Sequence, residues 1–100
     1  MDATFEIREG VLRVGGALDL YAAEELHESL LELVEQSAHP SVDLSGVESC
    51  DVACLQLFGA AARAATERGS ALTVTETGEA VPLTCRQLGT SLEAVFPGGD

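Results

Sequence analysis

One hundred residues with 46% hydrophobic content suit one folded domain spanning 1–100 and are too apolar for a disordered chain. Seventeen acidic residues against five arginines and no lysine give a formal charge of −12, which repels phosphate backbones and anionic lipid and argues against direct binding of nucleic acid or a membrane surface. The three cysteines (Cys50, Cys54, Cys85) form no secretory pairing pattern, no charged-then-apolar signal opens the sequence, and no apolar run reaches membrane-spanning length, so a cytoplasmic location is expected.

In chain order, "TFEIREGVLRVGG" alternates: Phe5 and Ile7 share one face of a strand, Leu12 and Val14 one face of the next. Glu9-Gly10 between them predicts a β-hairpin turn with positive φ at Gly10, and Gly15-Gly16 is expected to end the hairpin. Asp19 then precedes "LYAAEELHESLLELVEQSA", where Ala23, Leu26, Leu30, Leu33 and Val34 recur at helical spacing. The first helix is thus apolar on one face and carries Glu24, Glu25, Glu28, Glu32 and Glu35 on the other. His27 reads as a solvated surface residue of this helix.

"SVDL" predicts a short central strand, 42–44, followed by turn residues Ser45-Gly46. A second helix is predicted over 52–67, with Leu55, Phe58, Ala62 and Ala65 as its buried stripe, Leu57 and Ala61 widening it, and Gly69 stopping it. Gly59 inside that helix costs about 1 kcal/mol against alanine and is read as allowing a neighbour to approach closely. "ALTVTET" alternates as a strand over 71–75. Strand, helix, strand in this order is a βαβ unit, which predicts a parallel pair with a right-handed crossover. Pro82 suits the first turn of a last helix running through Leu83 and Leu88, "SLEAVF" adds a short apolar end, and "PGGD" reads as a frayed tail. The fold class is α/β: a small mixed sheet of about four strands, an N-terminal hairpin plus a parallel βαβ unit, with helices packed on it. Phe5, Phe58, Phe96 and Tyr21 are the only aromatics, so the core is aliphatic and alanine-rich.

Chemistry is sparse. Asp51 precedes the second helix as a cap for its free N–H groups, and that same spot would otherwise attract an anion. Cys54 sits near the helix start, where a thiolate is favoured, yet it lies at the edge of the buried stripe and reads better as a small hydrophobe. His27 and His39 are elsewhere, and no nucleophile elbow, phosphate loop or His-Glu-x-x-His is present. Cys50 and Cys54 alone are too few for a closed zinc site. No catalytic residue, cofactor or metal is expected.

Three stretches together resemble the STAS domain, the fold of bacterial anti-sigma-factor antagonists: "GGALDLYAAEELHESL", "SVDLSGVESCD" and "AARAATERGSALTV". The resemblance covers nearly the whole chain. It implies a non-catalytic regulatory module that docks onto a protein partner, of the anti-sigma-factor, chemotaxis or two-component kinase type, through the loop and helix start after the central strand. In many members the aspartate there is followed by a serine that the partner kinase phosphorylates, adding about −1.5 to −2 of charge. Here Asp51 matches the aspartate, Val52 stands at the acceptor position, Ala53 follows, and Cys54 replaces the usual glycine. Valine takes no phosphoryl group, and Ser49, two residues before Asp51, does not align with the acceptor. The expected docking residues are Asp19, Ser49, Asp51, Val52, Ala53 and Gln56. Asp19 serves equally as a plain helix cap, and Gln56 equally as a solvated helix residue. The resemblance also admits a different role, a STAS subunit bound to the ATPase of a lipid-trafficking ABC transporter, and it is compatible with a homo-oligomer.

Overall fold

The computed structural model describes residues 2–97. Strands β1 (Thr4–Arg8) and β2 (Val11–Leu18) form the expected antiparallel hairpin, with Phe5 opposite Val14 and Ile7 opposite Leu12. Both turn residues have positive φ, 54° at Glu9 and 78° at Gly10, the mirror-image turn whose twist matches paired strands. Alternation along β2 sends Leu12, Val14 and Leu18 into the core and Arg13 to solvent.

Gly15-Gly16 does not end this strand. β2 continues to Leu18 because β3 pairs with it that far, Leu18 lying beside Cys50. Gly16 serves a close approach instead: its φ is 80°, and a Cβ there would collide with the backbone carbonyl of Asp2. Asp19 then caps the chain as expected, one carboxylate oxygen accepting from the backbone N–H of Tyr21 at 3.0 Å and of Ala22 at 3.2 Å. The capped segment is one 3-10 turn, Leu20–Ala22, and the α-helix proper, α1, spans Ala23–Gln36. α1 buries Leu26, Leu30, Leu33 and Val34 and leaves its five glutamates exposed.

β3 (Ser41–Cys50) is much longer than the predicted 42–44. It sets ten residues against the eight of β2, with one extra between Asp43 and Gly46 and another between Val47 and Ser49. The core residues of β3 therefore fall at 42, 44, 47 and 50, which breaks the two-residue period by which a strand is recognised. α2 spans Val52–Glu67, buries Cys54, Leu55, Phe58, Ala61, Ala62 and Ala65, and ends ahead of Gly69, whose φ is 79°. β4 is Thr73–Glu76, shorter and later than 71–75. The sheet order is β1-β2-β3-β4, with β1 antiparallel to β2 and the β2–β3 and β3–β4 pairs parallel. β3 is central, as predicted. α1 and α2 each cross over between parallel strands, so there are two βαβ units rather than one.

The helices cover one face of the sheet, and Glu6, Arg8 and Arg13 project from the other. α3 (Ala80–Gln87) has Pro82 in its first turn and ends just before Leu88, and the Thr84 hydroxyl donates to the Cys50 carbonyl at 2.8 Å, tying this helix to the end of β3. After α4 (Leu92–Val95), Phe96 is buried against Phe58 with ring centroids 5.8 Å apart. Of the PGGD tail only Pro97 is described; 98–100 lie outside the described residues.

Gly59 departs from its expected role. It is buried in α2, but a Cβ built there would meet only the Arg63 guanidinium, at an ordinary 3.6 Å. No backbone of another described element approaches it. Gly59→Ala should therefore raise stability by about 1 kcal/mol, the helix-propensity difference, seen as a higher urea midpoint at unchanged slope. A lower midpoint would reveal a close neighbour after all.

Candidate interaction site

The ends of β2 and β3 lie side by side, and each runs straight into a capped helical turn. The Asp51 N–H donates to the Leu18 carbonyl at 2.9 Å, and the Cys54 thiol donates to the Asp19 carbonyl at 3.4 Å. These two bonds join the Asp19 and Asp51 corners into one surface. The Asp51 carboxylate accepts from the Cys54 N–H at 3.0 Å, a cap contributing about 1 kcal/mol. It also fills the position at which the helix N-terminus would attract an outside anion.

Val52 is the first residue of α2 and is 45% exposed. Gln56, one turn on, is exposed on the same side, and Ala53 is half-buried. Ser49 is exposed on β3 beside Ala17, on the strand side of the cap. The fold thus brings Asp19, Asp51, Val52, Ala53 and Gln56 to one corner, with Ser49 at its margin. Two further residues belong to it that the sequence reading passed over. Leu20 is 70% and Tyr21 93% exposed, directly after the Asp19 cap. Their signal was available: two bulky apolar residues stand ahead of the stripe that begins at Ala23, with no core face left for them.

The three cysteines are buried and free. Burial pushes the Cys54 thiol up to about 12, with the Asp51 carboxylate adding to the shift. Burial also pushes Cys50 up to about 12 and raises Cys85. A thiol held neutral at the base of the corner is a poor nucleophile. Two results are expected. At pH 8 the native protein should resist a thiol-titrating reagent, while all three cysteines react in urea; rapid native reaction at Cys54 would reopen a reactive role. Stability should also fall as pH rises from about 9 toward 12, because the unfolded chain releases thiol protons there that the folded chain retains.

A depression of about 560 Å³ lies on the helix-free face of the sheet, away from this corner, lined by residues that include Thr4, Glu6, Gly15 and Gly46. Its charged side chains already face partners within the fold, Glu6 pairing with Arg8. Arg13 lies 3.8 Å from Asp43, and the Ser45 N–H and hydroxyl both donate to Asp43, holding its carboxyl below the usual range. Among the described residues no three His, Cys, Asp or Glu side chains are grouped so as to hold a metal ion, and no helix is long and apolar enough to cross a membrane.

This fold, a mixed four-stranded sheet with helices on one face, is similar to that of several solved anti-sigma factor antagonists. One from Mycobacterium paratuberculosis is 24% identical over 96% of this chain and 82% of its own, with a TM-score of 0.69. The unphosphorylated form of the anti-sigma factor antagonist SpoIIAA is 13% identical over 73% of this chain and 71% of its own, with a TM-score of 0.58. A candidate anti-sigma factor antagonist from Thermotoga maritima is 14% identical over 89% of this chain and 83% of its own, with a TM-score of 0.59. At these identities the likeness is one of fold. No curated protein sequence matches the chain. The family model described as "Mlab, STAS domain" matches residues 1–96, and the chain belongs to the STAS domain family.

Proposed function

We propose that residues 1–100 act as a single non-catalytic regulatory domain of the anti-sigma-factor-antagonist type, working in the cytoplasm. It docks a signalling protein, an anti-sigma factor or a chemotaxis or two-component kinase, through the corner formed by Asp19 and residues 49–56. The observation that carries this reading is Val52: an exposed apolar side chain at the head of α2, flanked by two capping aspartates, at the family's contact position. Leu20 and Tyr21 enlarge the apolar contact, and interface centres favour such desolvated anchors over charge. With no hydroxyl at 52, docking is constitutive with respect to phosphorylation there.

A second reading is a subunit that docks the ATPase of a lipid-trafficking ABC transporter through the same corner. What favours it is the matching family model, which carries the name Mlab rather than that of an anti-sigma factor antagonist.

Co-purification with tagged protein from native extract separates the two readings. A regulator or kinase released by Val52→Glu is the expected result, and a transporter ATPase released by the same change would replace the first reading by the second. Incubation of the chain with ATP and the recovered kinase should leave its intact mass unchanged. Added phosphate on Ser49 would overturn the unswitched docking argued above.

A further inference from the structure

The outer side of α2 differs from the rest of the surface. Between Val52 and Thr66 it has no carboxylate and one charge, Arg63, in a chain with 17 acidic residues. Along it, between α2 and the α3–α4 segment, runs an open groove of about 270 Å³, lined mainly by Val52, Leu55, Gly59, Arg63, Leu88 and Val95. Gly59 lies in its floor although packing does not require a glycine there. The missing side chain leaves room for the Arg63 guanidinium, whose Nη1 stands 3.6 Å from where a Cβ would be. None of the described lining residues is acidic, and Arg63 makes no ion pair with any described residue. Arg8 and Arg13, by contrast, each face a carboxylate.

We propose that this groove is the second half of the docking surface and seats a helix of the partner. That helix presents an Asp or Glu to Arg63 and, about one to two turns away, a bulky aliphatic side chain to Val52, Leu55 and Leu88. The inference rests on Val52 being a partner contact, since Val52 and Gln56 belong to both the corner and the groove. The planar guanidinium fork matches a carboxylate bidentately, and over an apolar floor that pairing is stronger than in open water. A helix suits the length: eleven residues from Val52 to Arg63 span roughly 16 Å along α2, room for anchors at helical spacing on the incoming chain. A second copy of this chain is disfavoured by its own charge of −12.

The probe is a displayed library of amphipathic helices of about 16 residues, selected on the folded wild-type protein. Enriched peptides should share an acid one to two turns from a bulky aliphatic residue. Their binding should fall about tenfold on Arg63→Gln, an exposed change that leaves the fold intact, and further on Gly59→Leu, which fills the groove. No enrichment, or peptides that bind Arg63→Gln as well as wild type, would overturn the groove. Peptides lost on Val52→Glu but kept on Arg63→Gln would remove the groove and leave the corner. Peptides lost on Arg63→Gln but kept on Val52→Glu would overturn the shared surface, because the proposed anchor on Val52 would then make no contact.

Discussion

Val52→Glu should lower affinity for the docked partner about 100-fold, roughly 2.8 kcal/mol, while leaving the domain at least as stable as wild type. The two halves of this expectation have separate causes. In a complex, the centre of the contact is desolvated, and a carboxylate placed there has lost water without gaining a partner. Asp51 and Asp19 beside it add repulsion rather than relief. In the free protein the same substitution is benign. Residue 52 is the first residue of α2 and is exposed, a position where negative charge complements the helix dipole by about 0.3–1 kcal/mol. Titration calorimetry against the co-purified partner, paired with a thermal melt, reads both. Unchanged affinity would mean that the partner grips another face.

Phe58→Ala should cost about 3–5 kcal/mol, a large share of the 5–15 kcal/mol typical of a domain. Phe58 is fully buried in α2, and its ring meets Phe96 at 5.8 Å with the planes tilted by 49°. Truncation opens a cavity between helix and sheet and also frees the ring that anchors the chain after α4. Urea unfolding of Phe58→Ala, Phe96→Ala and the double variant should show a coupling of about 0.5–1.5 kcal/mol beyond the area lost. Additive losses would mean that the two rings stabilise the core independently.

The hairpin, the two long helices and both aspartate caps were legible in the sequence because each rests on a local rule. The Glu9-Gly10 turn lies between alternating strands, and α1 repeats leucines at three and four residues. The STAS likeness was legible for a similar reason, since its motifs are short stretches whose order and spacing survive in a single chain. So was the absence of an acceptor hydroxyl at residue 52, a matter of residue identity alone.

What depended on partners distant in the chain was not legible. β3 extends to Cys50 because β2 pairs with it through two irregularities, and those irregularities scatter its core residues out of any simple period. Gly15-Gly16 resembles a strand end, and only the approach of Asp2 explains why Gly16 lies inside one. Leu20 and Tyr21 stand ahead of the α1 stripe in sequence, but that they lie exposed beside the Asp51 corner follows only from the contacts that join the Asp19 turn to α2. Arg63 and Leu88 meet in one groove only after α3 and α4 fold back along α2. Local propensity and pattern are written along the chain, whereas exposure and juxtaposition are properties of surfaces that exist only once the layers have packed.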